Sequence, residues 1–287
     1  MKTSDVLVDA IEYIHRFAGD VFVIKLGGES LLDKEVVDSV AQDLMLLNAL
    51  NIRTVVVHGG GVEISEAMEK FGKKPTFVKG LRVTDKETMD IVEMVLTGKI
   101  NQELVSRVNT HGGSGVGLSG KSGCLFEAVK QKGKVDLGLV GEIRKVNPKV
   151  VLTQIESGYI PIISPIGASK DGESLNINAD TAASELAASL KASKLIVLTN
   201  VDGVLDKDKK LIKHLTIAEV RKLVKDGTIA GGMIPKVEAC VNALKSGVSR
   251  THIVKASRHA VLEEILTKTG TGTMITLRGV NAGEEKN

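Results

Sequence analysis

A chain of 287 residues that is 43% hydrophobic and 25% charged has material for one large α/β domain or two lobes on a shared sheet. A net charge of +3 and 2% aromatic residues exclude a basic nucleic-acid footprint and base-stacking platforms. No apolar run is long enough to span a membrane, no signal-type apolar core opens the chain, and Cys124 and Cys240 offer neither a disulfide framework nor zinc spacing, so both are expected as buried thiols of a cytoplasmic protein.

Residues 3–17 have helical spacing, with Leu7, Ile11, Ile14 and Phe17 on one face and Ser4 or Asp5 as cap. This helix precedes the first strand and could pack on its own domain or on another subunit. Val21-Phe22-Val23-Ile24 then reads as a buried strand ending in Lys25, Leu26, Gly27 and Gly28. A lysine is rarely delivered to the end of a buried strand without a partner, because desolvating an ammonium is costly. Beside bare glycine backbone it suggests an anion site, against the plainer reading of an edge-of-core lysine before a turn.

A helix is expected from about Asp33 to Asn51, and Arg53–His58 then repeats the theme by running into Gly59, Gly60 and Gly61. A glycine-rich strand-to-helix turn aims backbone N–H groups and a helix N-terminus at an anion. His58 is read as a structural histidine. Arg82, in the loop from Lys79 to Asp85, can clamp a carboxylate with its planar fork. A helix follows from about Asp85 to Thr97.

Gly115–Ser122 formally matches G-x-x-x-x-G-K-[ST], and Gly115, Gly117 and Gly120 match G-x-G-x-x-G. Both motifs need a helix opening at the last glycine. Gly123 follows at once, and Cys124 to Glu142 alternates like hairpins, so both matches are rejected in favour of a strand, a loop and hairpins. After a helix over Pro148–Ser157 and a strand over Tyr159–Pro165 come Asn176, Asn178 and Asp180. These three alternate along an extended segment before a helix over Thr181–Lys191, which is more polar character than one cap requires. The strand Lys194–Thr199 ends in the turn Asn200-Val201-Asp202-Gly203-Val204, at a place where α/β sheets bind ligands. Ile217–Asp226 is helical, and Gly231–Lys236 opens a further helix to about Ser246. Lys236 faces the positive end of that helix, which makes sense if an anion offsets it. Thr251–Val254 and Thr273–Leu277 are the last strands, and Gly279–Asn287 is a loose tail.

Taken together, Lys25-Leu-Gly-Gly28, His58-Gly-Gly-Gly61, Gly80-Leu-Arg-Val-Thr84, Asn176-Ile-Asn-Ala-Asp180, Leu198-Thr-Asn-Val-Asp-Gly203, Gly231-Gly-Met-Ile-Pro-Lys236 and Gly272-Thr-Met-Ile275 resemble, in order and spacing, the amino acid kinase family. The resemblance runs from about Ile11 to Leu277 and points to its members that phosphorylate N-acetyl-L-glutamate. It implies a three-layer α/β sandwich with an open, mainly parallel eight-stranded sheet. It further implies an oligomerisation helix at 1–17, an amino-acid-binding and dimerising lobe at 18–175, and an ATP-binding lobe at 176–287. The implied reaction moves the γ-phosphoryl of ATP, with Mg2+ carried on the phosphates, to the side-chain carboxylate, as a step of arginine biosynthesis. Lys25 and Lys236 would stabilise the transferring phosphoryl and Asp180 would orient them. Gly60, Gly61, Arg82, Asn176 and Asn178 would hold the acyl amino acid. Gly27, Gly28, Asn200, Val201, Asp202, Gly203, Val204, Asp206 and Met233 would line the nucleotide site. The initial helix resembles the one that joins dimers into a hexamer in arginine-inhibited members, which also carry an acidic residue near the position of Thr269. The rival readings are a kinase of a carrier-linked aminoadipate or glutamate carboxylate, and a non-catalytic amino-acid sensor.

Overall fold

The computed structural model describes residues 3–78, 80–267 and 270–279. The chain opens with α1 (Thr3–Phe17), β1 (Val21–Leu26), α2 (Lys34–Ala49), β2 (Arg53–His58) and α3 (Gly61–Lys70). The short strands β3 (Phe77–Val78) and β4 (Leu81–Arg82) follow, then α4 (Lys86–Glu93), a π-helical turn over Met94–Ile100, and α5 (Asn101–Thr110). Next come β5 (Gly115–Ser119), β6 (Phe126–Lys130), β7 (Gly141–Val146), α6 (Lys149–Glu156), β8 (Ile160–Ser164), β9 (Ile166–Ala168) and β10 (Ser174–Asn176). The remainder is α7 (Ala179–Ser189), β11 (Lys194–Thr199), β12 (His214–Thr216), α8 (Ile217–Lys225), α9 (Met233–Lys245), β13 (Arg250–Lys255), α10 (Ala260–Ile265) and β14 (Thr273–Thr276).

Among the described residues, the main sheet has eight strands in the order β12-β14-β13-β11-β1-β2-β8-β5. Every pair is parallel except β13 with β14. A strand covered on both faces has no polar side to present, so β1 and β11 carry the apolar runs Val21–Ile24 and Leu195–Leu198, and their residues are buried from Phe22 to Leu26 and from Lys194 to Thr199. From β1 the chain winds outward to β2, and from β11 it winds the other way to β13. The switch point between these halves lies at the C-terminal ends of β1 and β11, where an open α/β sheet leaves a crevice. A second sheet, β10-β9-β6-β7, and the β3–β4 pair stand over one side of that crevice's rim. The division expected at 175/176 falls inside β10.

Local chemistry sets the helix starts. Asp33 accepts from the Glu35 and Val36 amides, Asp85 from Thr88, and Asn178 from Thr181, while Thr216 and Glu219 form a reciprocal capping box. The helix expected to end near Thr97 instead continues through the π turn to Thr110. β12 and α10 carried no expectation.

Two corrections concern exposure. Cys124 is exposed, because the tight turn at Ser122–Cys124 holds it on the surface with φ 54°; Cys240 is buried inside α9. In α1, Ile11 is 47% exposed, whereas Tyr13 and Phe17 are buried. The Phe17 ring meets Phe22 of β1 edge-on at 5.4 Å, and Lys194 Nζ lies 4.6 Å above it. The last turns of the helix therefore belong to the core of their own subunit. The expected tail from residue 280 onward and the position of Thr269 lie outside the described residues.

Candidate active site

Lys25 sits next to last in β1, in register with Val57 of β2 and Val197 of β11. Burial on a central strand would penalise its charge. Its Nζ is 2.9 Å from Asp180 Oδ1, in the first turn of α7. The other Asp180 oxygen is 3.7 Å from Nζ of Lys236, in the first turn of α9. One buried carboxylate thus stands between two ammonium groups that arrive from different elements. Burial pushes the Asp180 carboxyl up, but the two lysines outweigh it and hold the group below the usual carboxylate range. Lys236 is pulled below the ordinary lysine value, chiefly by its own burial, with Asp180 opposing. A single negative charge cannot neutralise two positive ones, so the cluster presents a net cation toward any anion that enters.

A cleft of about 240 Å³ opens onto this cluster. It is lined by Lys25, Gly28, Gly60, Gly61, Arg82, Asn176, Asn178 and Asp180, with Ile64, Phe77, Leu81 and Leu96 as apolar wall. It shares Leu81, Val140 and Asn178 with a wider space of about 670 Å³ bounded by Ile234 and Pro235 of α9. Gly28 turns the chain out of β1 with φ +68°, a conformation that a side chain resists. The N-cap positions of α3 and α9 are Gly60 and Gly232, and neither helix start is capped by a side chain. The first amides of α3 remain open for an anion, whereas at α9 the Met233 and Ile234 amides donate to Ala230 O and Gly231 O and Pro235 has no N–H.

Several expected residues have their side chains committed already. Arg82 lines the cleft and stacks 4.7 Å from the Phe77 ring, yet its NH2 donates to Gly61 O at 2.7 Å and Ser65 Oγ at 2.8 Å. It braces the glycine turn as well as facing the cleft. Asn178 caps α7, as a plain N-cap would. Asn176 Nδ2 donates to Thr84 Oγ1 at 3.2 Å. In the turn after β11, Asp202 pairs with Lys255 at 2.9 Å, and Asp206 accepts the Asp208 and Lys210 amides of its own loop. Val204 is buried and its amide donates to Thr273 Oγ1. Asn200, Val201, Gly203 and Met233 sit on the same rim, at the ends of β11 and the start of α9. Lys121 of the rejected motif is ion-paired with Glu93 at 3.0 Å and bonded to Ser174, and only a single 3-10 turn over Ser122–Cys124 follows it, not an α-helix.

Sequence reasoning missed Asn101 and Ser164, which are buried behind the Gly59–Gly61 turn. Asn101 falls beyond Thr97, where the helix was expected to end. Ser164 reads as an ordinary strand end. Among the described residues, no group of three or more His, Cys, Asp or Glu side chains is placed to hold a metal ion, and no helix is long and apolar enough to cross a membrane.

A parallel sheet with a cationic cleft at its switch point defines an α/β enzyme that handles small anionic ligands. The amino acid kinase family model matches residues 20–255, and the chain belongs to that family. It is 50% identical over 282 residues to an acetylglutamate kinase of Halothermothrix orenii, covering 96% of this chain and 97% of that one. It is 49% identical over 290 residues to an acetylglutamate kinase of Methanocaldococcus jannaschii, with 96% and 97% covered. Among solved structures, an N-acetylglutamate synthase of Neisseria gonorrhoeae complexed with coenzyme A and N-acetyl-glutamate superposes with a TM-score of 0.88 at 26% identity. The match covers 98% of this chain, which spans 65% of the synthase's length. The same synthase complexed with coenzyme A and L-arginine gives 0.84. Carbamate kinase of Giardia lamblia bound to AMP-PNP, at 18% identity and a TM-score of 0.69, shares the fold, covering 91% of this chain and 99% of that one.

Proposed function

We propose that the enzyme transfers the γ-phosphoryl group of ATP to the side-chain carboxylate of N-acetyl-L-glutamate, giving N-acetyl-L-glutamyl 5-phosphate and ADP, as a step toward arginine. The observation that carries this reading is the Lys25–Asp180–Lys236 cluster, of which Lys25 and Asp180 line an acyl-amino-acid-sized cleft. Phosphoryl transfer needs positioning and charge stabilisation more than a covalent group. The attacking carboxylate is already ionised at neutral pH, so no general base is required. In this reading Lys25 and Lys236 approach the transferring group from the β1 and α9 sides, and Asp180 holds both ammonium groups in place. The open amides at Gly27 and Gly28 face phosphate oxygens. The Gly60–Gly61 turn, Arg82 and Asn176 receive the acyl amino acid. The turn from Asn200 to Asp206 and Met233 border the nucleotide, which brings Mg2+ on its phosphates.

We further place the chain in the cytoplasm, where its phosphoryl donor is abundant, as a homo-oligomer with arginine as feedback inhibitor. The likeness to a synthase solved with L-arginine supports the inhibitor. A coupled ADP-release assay with acetylglutamate, glutamate, aspartate and acetylaminoadipate tests the substrate. Turnover confined to acetylglutamate is expected, and preference for acetylaminoadipate overturns the assignment. Adding arginine to the same assay checks the inhibition.

A further inference from the structure

His58 ends β2 directly before the glycine turn and is fully buried. Its Nδ1 lies 2.9 Å from Gly59 O. A carbonyl oxygen can only accept, so Nδ1 carries the proton. The far end of the ring gives the same answer independently. His58 Nε2 is 3.2 Å from Asn101 Nδ2 and 3.3 Å from Ser164 Oγ. The orientation of the Asn101 carboxamide is fixed by chemistry, because the same nitrogen meets two carbonyls, Ile162 O at 2.8 Å and Leu118 O at 3.4 Å. Asn101 is therefore the donor and Nε2 the acceptor. A second proton on the ring would face that amide in a desolvated site, and burial pushes His58 down to about 4.

The surroundings are built to hold this arrangement. The Asn101 backbone N–H closes the π turn on Leu96 O, a carbonyl that also lies 3.3 Å from Ser164 Oγ. That turn aims Leu96 and Ile100 at Gly60, where any Cβ would collide with both. In β5, a Cβ at Gly117 would collide with the Asn101 carboxamide, which gives that glycine a packing role. A π turn costs hydrogen-bond geometry and is retained where it places a side chain that an α-helix would misdirect. Here it sends Asn101 to His58 and two apolar side chains to the back of the substrate turn.

We propose that His58 is a positioning residue, which as the neutral Nδ1–H imidazole pins the Gly59 carbonyl and thereby sets the Gly59–Gly61 turn for the acyl amino acid. The Asn101 carboxamide fixes its tautomer. This deepens the functional reading above and rests on it for the identity of the ligand.

The test compares His58→Leu with His58→Asn, whose shorter carboxamide can still donate toward Gly59 O. His58→Leu is expected to raise the acetylglutamate KM about tenfold while leaving the ATP KM within about twofold, the scale of one lost positioning hydrogen bond. His58→Asn is expected to restore most of the loss. Equal acetylglutamate KM values in the two variants, or a parallel rise in the ATP KM, overturns the proposal. Nitrogen NMR of histidine-labelled wild-type enzyme is a second measurement that needs no variant to fold. His58 should show a protonated Nδ1 and a bare Nε2, unchanged from about pH 5.5 to 8. An Nε2–H tautomer, or titration in that range, overturns the proposal. If the wild-type enzyme ignores acetylglutamate, only the functional reading falls; the KM comparison is then made with the carboxylate it does accept, and the NMR result stands on its own.

Discussion

Lys25, Asp180 and Lys236 form a charge arrangement that is unfavourable as packing alone. Removing water from three ionised groups costs several kcal/mol, and only a further anion balances the surplus positive charge. Lys25→Ala and Lys236→Ala should each lower kcat by about two to three orders of magnitude, as expected for losing one partner of the developing charge. The two should differ in stability. Lys25 is 2.9 Å from Asp180 within the buried strand region, whereas Lys236 stands 3.7 Å away and is more exposed. Lys25→Ala should therefore lower Tm more, and calorimetry on both variants checks this. Arg82→Lys keeps the charge but loses the bonds from one guanidinium nitrogen to Gly61 O and Ser65 Oγ. The acetylglutamate KM should rise while the ATP KM stays near wild type; unchanged constants would make Arg82 a bystander to the cleft.

At the scale of elements, α1 separates two questions that its sequence merged. Burying Tyr13 and Phe17 stabilises the subunit by about 1.5–3 kcal/mol each. Val8 and Ile11 remain outside, 64% and 47% exposed, as candidates for an inter-subunit contact. Deleting residues 1–9 should change the assembly, from hexamer to dimer if the helix joins dimers, and leave Tm and kcat near wild type. Deleting 1–17 should also strip the cover from Phe22 and Lys194 and lower Tm by several degrees. Light scattering and a melting curve on both truncations decide it, and a full-length dimer ends the hexamer claim.

The strands of the main sheet were largely legible, because a strand buried on both faces leaves a run such as Val21–Ile24 or Leu195–Leu198 that nothing else explains. The glycine turns and the two lysines were legible for the same reason, being poor choices for packing. The π turn was not. Gly98 reads as a helix stop, and only the tertiary fit of Leu96 and Ile100 against Gly60 shows why the helix runs on. Nor was the Arg82 brace, since sequence spacing cannot say that Ser65 and Gly61 lie across from it.

For the whole molecule, buried ionisable groups set how stability depends on pH. His58 and His252 are each pushed from 6.5 down to about 4, mainly by burial. The unfolded chain takes up these protons as pH falls through 6.5, while the folded chain does not until about 4. Stability from the neutral rings is thus complete above pH 6.5 and drains away between there and about 4. Lys194 is pushed from 10.5 down to about 7, first by burial and then by Arg250. From about 7 to 10.5 the unfolded chain again binds the extra proton, so this group adds stability as pH rises through that interval. Tm should climb steeply from pH 4.5 to 6.5 and reach its maximum on the alkaline side of neutrality. His58→Asn should flatten the acid limb. A symmetrical optimum near pH 5 would contradict these burials.

The seating of α1 also has an optical consequence. The chain has no tryptophan and two tyrosines. Tyr159 is 44% exposed, whereas Tyr13 is 1% exposed inside the helix-to-sheet contact. An aqueous quencher should therefore reach the emission of Tyr159 and spare that of Tyr13. The near-ultraviolet circular dichroism of a rigidly held phenol should come mainly from Tyr13. Undocking of α1, with the sheet still folded, should erase that dichroic band and make both phenols quenchable while the far-ultraviolet spectrum barely moves. Tyr159→Phe would leave Tyr13 as the one tyrosine, reporting whether the first helix is in its seat.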